Sequence, residues 1–242
     1  MKNVCMSFQW VRLLLLSLFI AAWPPTMDAE VRSADVLVQD LKGPATCYVG
    51  GNWLPLRKRM VLPQGAIIKT GADATVDLLL YSSRTALRLR PNSELRLDKL
   101  VRESGASTKT TDTSLSLVSG SLAGAQHKLG GASSFQIQLP GGVATITGTE
   151  YLVRADGAVT CVSGSIEVTY NLPGNGGSIK VTVPAGFSFD PKTGQVVATT
   201  PDYLRGIIAD IDTTRHNAMV FKTGGATLVI KPEKELSPST PP

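Results

Sequence analysis

Short alternations of apolar and polar residues, separated by turns that contain glycine or proline, run through most of this chain. Apolar side chains occupy every second position in residues 135–139 (FQIQL), in residues 85–90 (TALRLR) and in residues 114–118 (SLSLV). A period of two residues is typical of a strand with one buried face. The pattern predicts an all-β fold with a rolled or sandwich-like, mostly antiparallel sheet, of the jelly-roll or solenoid-like kind.

One tetrapeptide, Val-Ser-Gly-Ser, occurs twice, at residues 118–121 and at residues 162–165. Each copy follows an apolar strand end and precedes an apolar residue that restarts the alternation. Two copies are too few to establish a solenoid repeat, which needs three or more. They predict that the chain makes the same corner twice, as a rolled sheet would.

Two stretches depart from this alternation. Residues 101–112 (VRESGASTKTTD) are polar and unpatterned, which predicts a long surface loop. After residue 198, Leu204, Ile207, Ile208 and Ile211 fall at the spacing of one apolar helix face. This short C-terminal helix either docks on the sheet or binds a partner.

The pattern divides the chain into a β domain at residues 34–198 and a C-terminal appendage at residues 199–230. Within the appendage, residues 219–221 and 226–230 predict a hairpin that follows the helix. Residues 231–242 (KPEKELSPSTPP) have the composition of a disordered tail.

The N-terminus predicts a signal peptide over residues 1–29. Lys2 and Arg12 flank the start of an apolar run at residues 13–23, shorter than the about 20 residues that a membrane span needs. We expect cleavage after Ala29 and export to the periplasm or the extracellular space. The mature chain is predicted to have no transmembrane helix.

Export affects the interpretation of Cys47 and Cys161. In an oxidising compartment this pair could form a disulfide, which would close a loop of more than a hundred residues. Cys161 lies in an apolar strand and fits equally well as a small buried residue. The sequence leaves both alternatives open.

The charge pattern does not favour nucleic acid as a partner. The chain has 24 Lys and Arg against 19 Asp and Glu, and residues 57–59 (RKR) form its one dense basic run. Arg88, Arg90 and Arg96 alternate with apolar residues on predicted strands. They are candidates either for the solvated face of a sheet or for contacts with an anionic ligand.

No group of residues indicates catalysis, a metal or a cofactor. His127 and His216 have no Cys, His or carboxylate at ligand spacing, and the carboxylates Glu150, Asp156 and Glu167 are scattered. We therefore assign no catalytic, metal or cofactor-binding residue and expect that the protein is not an enzyme.

Several motifs, in order, resemble the hallmarks of FecR-type domains over roughly residues 45–190. They are residues 65–80 (GAIIKTGADATVDLLL), 87–95 (LRLRPNSEL), the two VSGS corners, 139–153 (LPGGVATITGTEYLV) and 184–187 (PAGF). Two positions depart from the family pattern. Residues 82–84 (SSR) replace its usual D-G-S turn, and Thr147 replaces an arginine.

The family's signalling members join a cytoplasmic anti-sigma segment, a transmembrane helix and a periplasmic domain of this type. Because the export signal begins this sequence, we expect a free-standing FecR-like domain without the anti-sigma segment. The motif residues Pro140, Gly141, Gly148 and Thr149 are expected to shape turns, with the Thr149 hydroxyl bonding the turned backbone.

Three functions are compatible with these observations. The first is a protein-interaction, signalling or scaffold module that binds another envelope protein through sheet edges or the loop at residues 101–112. The second is a module that binds an envelope glycan, for which Trp53, Tyr48 and Tyr81 are the aromatic candidates. The third is a sensor of a small anionic solute that uses Arg88, Arg90 and Arg96.

Overall fold

The computed structural model describes residues 30–33, 35–104, 109–130, 132–172, 177–223 and 226–229. Strands form most of this part of the chain, and one helix follows them. The elements are β1 (Glu30–Ser33), β2 (Val36–Lys42), β3 (Ala45–Val49), β4 (Asn52–Pro55), β5 (Val61–Leu62), β6 (Ile67–Thr70), β7 (Thr75–Leu80), β8 (Thr85–Leu89), β9 (Glu94–Ser104), β10 (Lys109–Ser119), β11 (Ser121–Gln126), β12 (Ser134–Leu139), β13 (Gly142–Ile146), β14 (Glu150–Arg154), β15 (Val159–Ser163), β16 (Ser165–Asn171), β17 (Ser178–Pro184), β18 (Phe187–Asp190), β19 (Gln195–Ala198), α1 (Pro201–Met219), β20 (Val220–Thr223) and β21 (Ala226–Val229).

Two large sheets contain all but the last two strands. Sheet I has the order β17-β16-β13-β12-β10-β9-β6-β3-β4, with β1 also paired to β9. Sheet II has the order β19-β18-β15-β14-β11-β8-β7-β2-β5. Among the described pairings, β10 with β12 is parallel and the others are antiparallel. The predicted all-β, mostly antiparallel fold is therefore confirmed.

The chain passes repeatedly from one sheet to the other, and glycine corners make several of these crossings. Gly120 joins β10 of sheet I to β11 of sheet II, and Gly164 joins β15 of sheet II to β16 of sheet I. Both residues have positive φ, 76° and 81°. The prediction that Val-Ser-Gly-Ser makes the same corner twice is confirmed, because both copies are crossings between sheets.

The corners are bonded to one another as well as to their own strands. The Ser121 amide donates to Ser93 Oγ over 2.9 Å, and the Ser93 amide donates to Thr70 Oγ1 over 2.9 Å. A Cβ on Gly120 would lie 2.0 Å from Ser93 Oγ. Glycine is therefore needed there for close approach as well as for its backbone conformation.

The alternating apolar residues form a core of fully buried side chains. Five of these side chains have no exposed surface: Phe135 and Ile137 of β12, Leu87 and Leu89 of β8, and Leu115 of β10. These strands belong to both sheets, so each strand contributes the face that its period of two residues predicts.

The prediction of a loop at residues 101–112 was wrong for residues 101–104 and 109–112, the part of it that the structure describes. Residues 101–104 continue β9 and residues 109–112 begin β10, with Val101 paired to Asp112 and Ser104 paired to Lys109. On its other side β9 pairs with β1, from Glu30 opposite Ser104 to Ser33 opposite Val101. The end of β9 therefore has backbone hydrogen bonds to β1 on one side and to β10 on the other. These hydrogen bonds stabilise the strand although its sequence has no apolar alternation there.

Helix α1 contacts the outer face of sheet II, and the hairpin of β20 and β21 follows it. Docking, one of the two alternatives for the helix, is thus observed, and β20 and β21 pair as a hairpin. No helix in the described ranges has the length and apolar character that a membrane crossing requires. The predicted signal peptide and the predicted C-terminal tail lie outside the described residues.

Candidate functional site

Arg88, one of the three candidate anion contacts, is held in a bidentate ion pair on sheet II. Strands β7 and β8 place it directly opposite Asp77. Its Nε donates to Asp77 Oδ1 over 2.7 Å, and its Nη2 donates to Oδ2 over 2.8 Å. Hydrogen bonding to Asp77 raises the pKa of Arg88 above its ordinary value, so the guanidinium stays charged.

Helix α1 completes this network from the other side. Asp210 accepts from Arg88 Nη1 over 3.4 Å and forms an ion pair with Arg90. Asn217 Nδ2 donates to Asp77 Oδ2 over 2.6 Å. Each of the three guanidinium nitrogens of Arg88 therefore donates to a carboxylate of the protein itself.

The expectation that Arg88 and Arg90 face solvent is corrected. Their side chains are 12% and 25% exposed, since α1 covers this part of the outer face. Arg96 lies on β9 of the other sheet, 54% exposed and 3.6 Å from Asp98. The structure does not bring the three arginines together into one anion site.

Helix α1 also packs on sheet II through an apolar contact beside this network. Ile207 and Ile211 are buried against Ala123, Ala125 and Leu152 of sheet II. Ile208, predicted on the same face, is 38% exposed. The docked face consists instead of residues 207, 210, 211 and 214, which combine two isoleucines with Asp210 and the buried Thr214.

Cys47 and Cys161 are free thiols in the structure. Both have no exposed surface, and they lie on different sheets, Cys47 on β3 and Cys161 on β15. Burial raises the pKa of both thiols, and that of Cys161 reaches about 11 with a smaller contribution from the Glu150 charge. Of the two alternatives, the structure shows the small buried residue.

The motif residues of the central stretch act in packing and turns. A Cβ on Gly141 would lie 2.7 Å from the Tyr170 ring, and one on Gly148, where φ is 65°, would lie 2.6 Å from Lys128 Cα. The expectation for the Thr149 hydroxyl is corrected: it is buried and has no hydrogen-bond partner among the described residues. The Thr149 carbonyl instead accepts from the Gln126 amide over 3.0 Å.

Strand β4 forms an edge of sheet I and exposes all four of its residues. Trp53 is 46% exposed and Leu54 44%. The Tyr48 ring lies 5.4 Å from the Trp53 ring at 52°, and Lys69 Nζ lies 4.7 Å from the Trp53 ring centroid. Because the two rings are tilted, they do not make the flat platform that stacking on a sugar would favour.

Two depressions contain further charged groups, and the first of them also includes Arg90. One of about 350 Å³ includes Arg154, whose Nε donates to both Asp156 oxygens at 3.2 and 3.1 Å. The other, of about 340 Å³, contains Arg84, Arg102, His127 and Lys128. The sequence analysis missed this second set, because its members come from three segments that become neighbours only in the fold.

Metal binding has no support in the described part of the chain. There, His, Cys, Asp and Glu do not form a group of three or more that could hold a metal ion.

The architecture is that of a two-sheet β domain with a docked helix, and comparison with known proteins finds a family model that is similar to its central part. Residues 66–167 match the family model described as FecR protein. The match covers less than half of the chain. The resemblance seen in the sequence motifs is confirmed.

Two crystal structures of a "putative anti-sigma factor" from Parabacteroides distasonis are similar to this chain. Their identities are 13% and 11%, and their TM-scores are 0.40 and 0.39. Each match covers 55% of this chain and 59% of the other, so this chain spans less than two thirds of their length. No curated protein matches the sequence.

Proposed function

We propose that this protein is a non-enzymatic interaction module with a signalling-related role in the cell envelope. It binds another protein by adding a strand of that protein to the β4 edge, Asn52–Pro55. The observation that carries the proposal is that β4 is an open edge strand and exposes two large apolar side chains of its own, Trp53 and Leu54.

The β4 edge has the features that strand addition requires. In the described part of the chain β3 is the strand that pairs with β4, which leaves backbone donors and acceptors on the outer side. Exposed edges are normally protected against such pairing. An added strand would gain main-chain hydrogen bonds, and Trp53 would supply the aromatic anchor typical of interface hot spots.

The other edges are less suited to a partner. On β17, at the opposite end of sheet I, Lys180 is 64% exposed and pairs with Glu167 over 2.9 Å. A charged residue on an edge strand opposes pairing. Strand β5 has two residues, and β19 exposes Val197 without an aromatic neighbour on the same strand.

The envelope location and the signalling role rest on other observations. The apolar run and its basic flank at residues 1–29 support export. The match of residues 66–167 to the FecR family model supports a role in signalling through protein contacts. Two observations support a role other than catalysis. The sequence contains no catalytic motif, and Arg88 and Arg90 beneath α1 form ion pairs with carboxylates of the protein itself.

Site-directed photocrosslinking in cells tests the proposal. Benzoylphenylalanine at position 53 should yield one discrete crosslinked protein, and the same probe at position 182, on β17, should yield none. The crosslink made through a probe at position 54 should disappear in a Trp53→Lys variant. A crosslink at position 182 alone would place the interface elsewhere. Retention on isolated cell-wall polymer without any protein crosslink would replace the proposal with glycan binding.

Export is tested separately. The protein should be recovered from the envelope fraction with an N-terminus that mass spectrometry places at or near residue 30. Recovery from the cytoplasm with residues 1–29 intact would contradict the envelope location.

A further inference from the structure

The cleft of about 340 Å³ lies where three segments of the fold meet. The β7–β8 turn supplies Arg84, strands β9 and β10 supply Arg102 and Thr111, and the connection from β11 to β12 supplies His127 and Lys128. Its volume is within the range of small-molecule sites. The cleft is distinct from the β4 edge and from the arginines beneath α1.

The charge of this cleft is uniformly basic. Among its described lining residues none is acidic, and three have cationic side chains, Arg84, Arg102 and Lys128. Within the described part of the chain none of these three forms an ion pair. Arg88 and Arg154, by contrast, are each neutralised by a carboxylate of the protein. Cations gathered without a counter-charge repel one another, and an anion between them would relieve that repulsion.

Hydroxyl groups line the same cleft. Thr111 is 94% buried, and its Oγ1 has no hydrogen-bond partner among the described residues. Its amide donates to Ser133 Oγ over 3.1 Å, which leaves the Ser133 hydroxyl proton available for another acceptor. A buried polar group without a partner is costly, so a ligand that accepts from Thr111 would remove that cost.

The backbone at Arg84 points to the same conclusion. Arg84 has φ of 49°, a left-handed conformation in which glycine or asparagine is favoured. An arginine retained there at a conformational cost is a candidate for function.

We propose that this cleft binds a small solute that carries a phosphate-type oxyanion. Two guanidinium forks and an ammonium group supply donors that match the several oxygens of a phosphate, and the hydroxyls of Thr111 and Ser133 complete the set. The volume exceeds that of a single phosphate group, so the cleft also accommodates a small organic part of the solute. The binding does not depend on the protein-interaction edge.

Isothermal titration calorimetry of the purified full chain tests the proposal at about 0.15 M salt, where weak surface charge effects are screened. The probes are glycerol 3-phosphate, inorganic phosphate and citrate. Saturable binding of glycerol 3-phosphate, tighter than that of citrate, is the expected result. Absence of saturable binding, or citrate binding at least as tight, would overturn the phosphate assignment.

Three variants locate the binding. Arg84→Gly should weaken affinity at least tenfold, and Lys128→Ala should do the same. The control Lys180→Ala, a cation on β17, should change affinity less than twofold. Because glycine suits a positive φ, Arg84→Gly should keep or raise the melting temperature, which separates lost binding from lost folding. Equal effects of Arg84→Gly and Lys180→Ala would overturn the site.

Discussion

Arg88 and Asp77 lie directly opposite each other on neighbouring strands and form a bidentate ion pair beneath helix α1, with donor–acceptor distances of 2.7 and 2.8 Å. The Asp77 side chain is 4% exposed and that of Arg88 is 12% exposed. The pair is therefore part of the structure that holds the helix, and the guanidinium of Arg88 is not available to a ligand.

Removing one member of this pair should be strongly destabilising. Asp77→Ala leaves the buried Arg88 without its main counter-charge, and we expect a loss of about 3–5 kcal/mol in the free energy of unfolding. Urea denaturation followed by circular dichroism measures this loss. The control is Glu94→Ala, which breaks the more exposed pair with Lys69 and should cost about 0–1 kcal/mol. Equal losses in the two variants would contradict a buried structural role.

Substitutions at two adjacent isoleucines distinguish the contribution of helix docking from that of helix formation. Ile207→Ala should cost about 2–5 kcal/mol, because Ile207 is 1% exposed and packs on sheet II. Ile208→Ala, at a side chain 38% exposed, should cost less than about 1 kcal/mol. The measurement is again urea denaturation. A larger loss for Ile208→Ala would mean that the helix presents a different face to the sheet.

The corner glycines should differ according to their surroundings. Gly120 and Gly65 both have positive φ, 76° and 85°, so alanine at either position is strained by about 1–2 kcal/mol. A Cβ at residue 120 would also collide with Ser93, whereas one at residue 65 would have nothing within 4 Å. Thermal unfolding should therefore show a clearly lower melting temperature for Gly120→Ala than for Gly65→Ala. Similar values would contradict the close packing of the corners.

The buried thiols should resist modification in the folded protein. With a pKa of about 11, Cys161 has about one thiolate per thousand molecules at pH 8 and no exposed surface. Iodoacetamide at pH 8 should therefore label Cys47 and Cys161 only after denaturation, as mass spectrometry of each cysteine peptide would show. Rapid labelling of either residue in the native protein would contradict its burial.

Cys161 should also make stability depend on pH in the alkaline range. The folded pKa of about 11 lies above the ordinary value of 9.0, so the folded state holds the thiol proton more tightly. The contribution is fully present below pH 9 and is lost as pH rises through 11, with a slope of at most about 1.4 kcal/mol per pH unit. Chemical denaturation between pH 8 and 11 should show a steeper decline for the wild type than for Cys161→Ala. Parallel curves would contradict the raised pKa.

The strand pattern and its corners could be predicted from local sequence. Phe135 and Ile137 are buried because side chains alternate strictly along a strand, so their face is determined once the strand forms. Gly120 and Gly164 mark sheet crossings, because few other residues adopt the backbone conformation that each corner needs. These same features include the motifs that resemble the FecR family.

The candidate sites could not be predicted in this way. The alternation in residues 85–90 places Arg88 opposite the core, but it contains no information on whether a helix more than a hundred residues away covers that face. Residues 101–112 lack apolar alternation, yet β1 and the hairpin partner hold both ends as strands. Arg84, Arg102 and Lys128 are well separated in sequence and share a cleft only in the fold.

The sequence by itself determined most of the strands, the main turns and the motifs that resemble the FecR family, because these properties depend on neighbouring residues. The tertiary structure decided that Arg88 is buried, that β4 is an open edge and that a basic cleft lies beside Thr111. Which face a helix covers, which strand forms an edge and where a cleft lies depend on packing between segments that are distant in sequence. Local sequence patterns do not show which distant segments become neighbours.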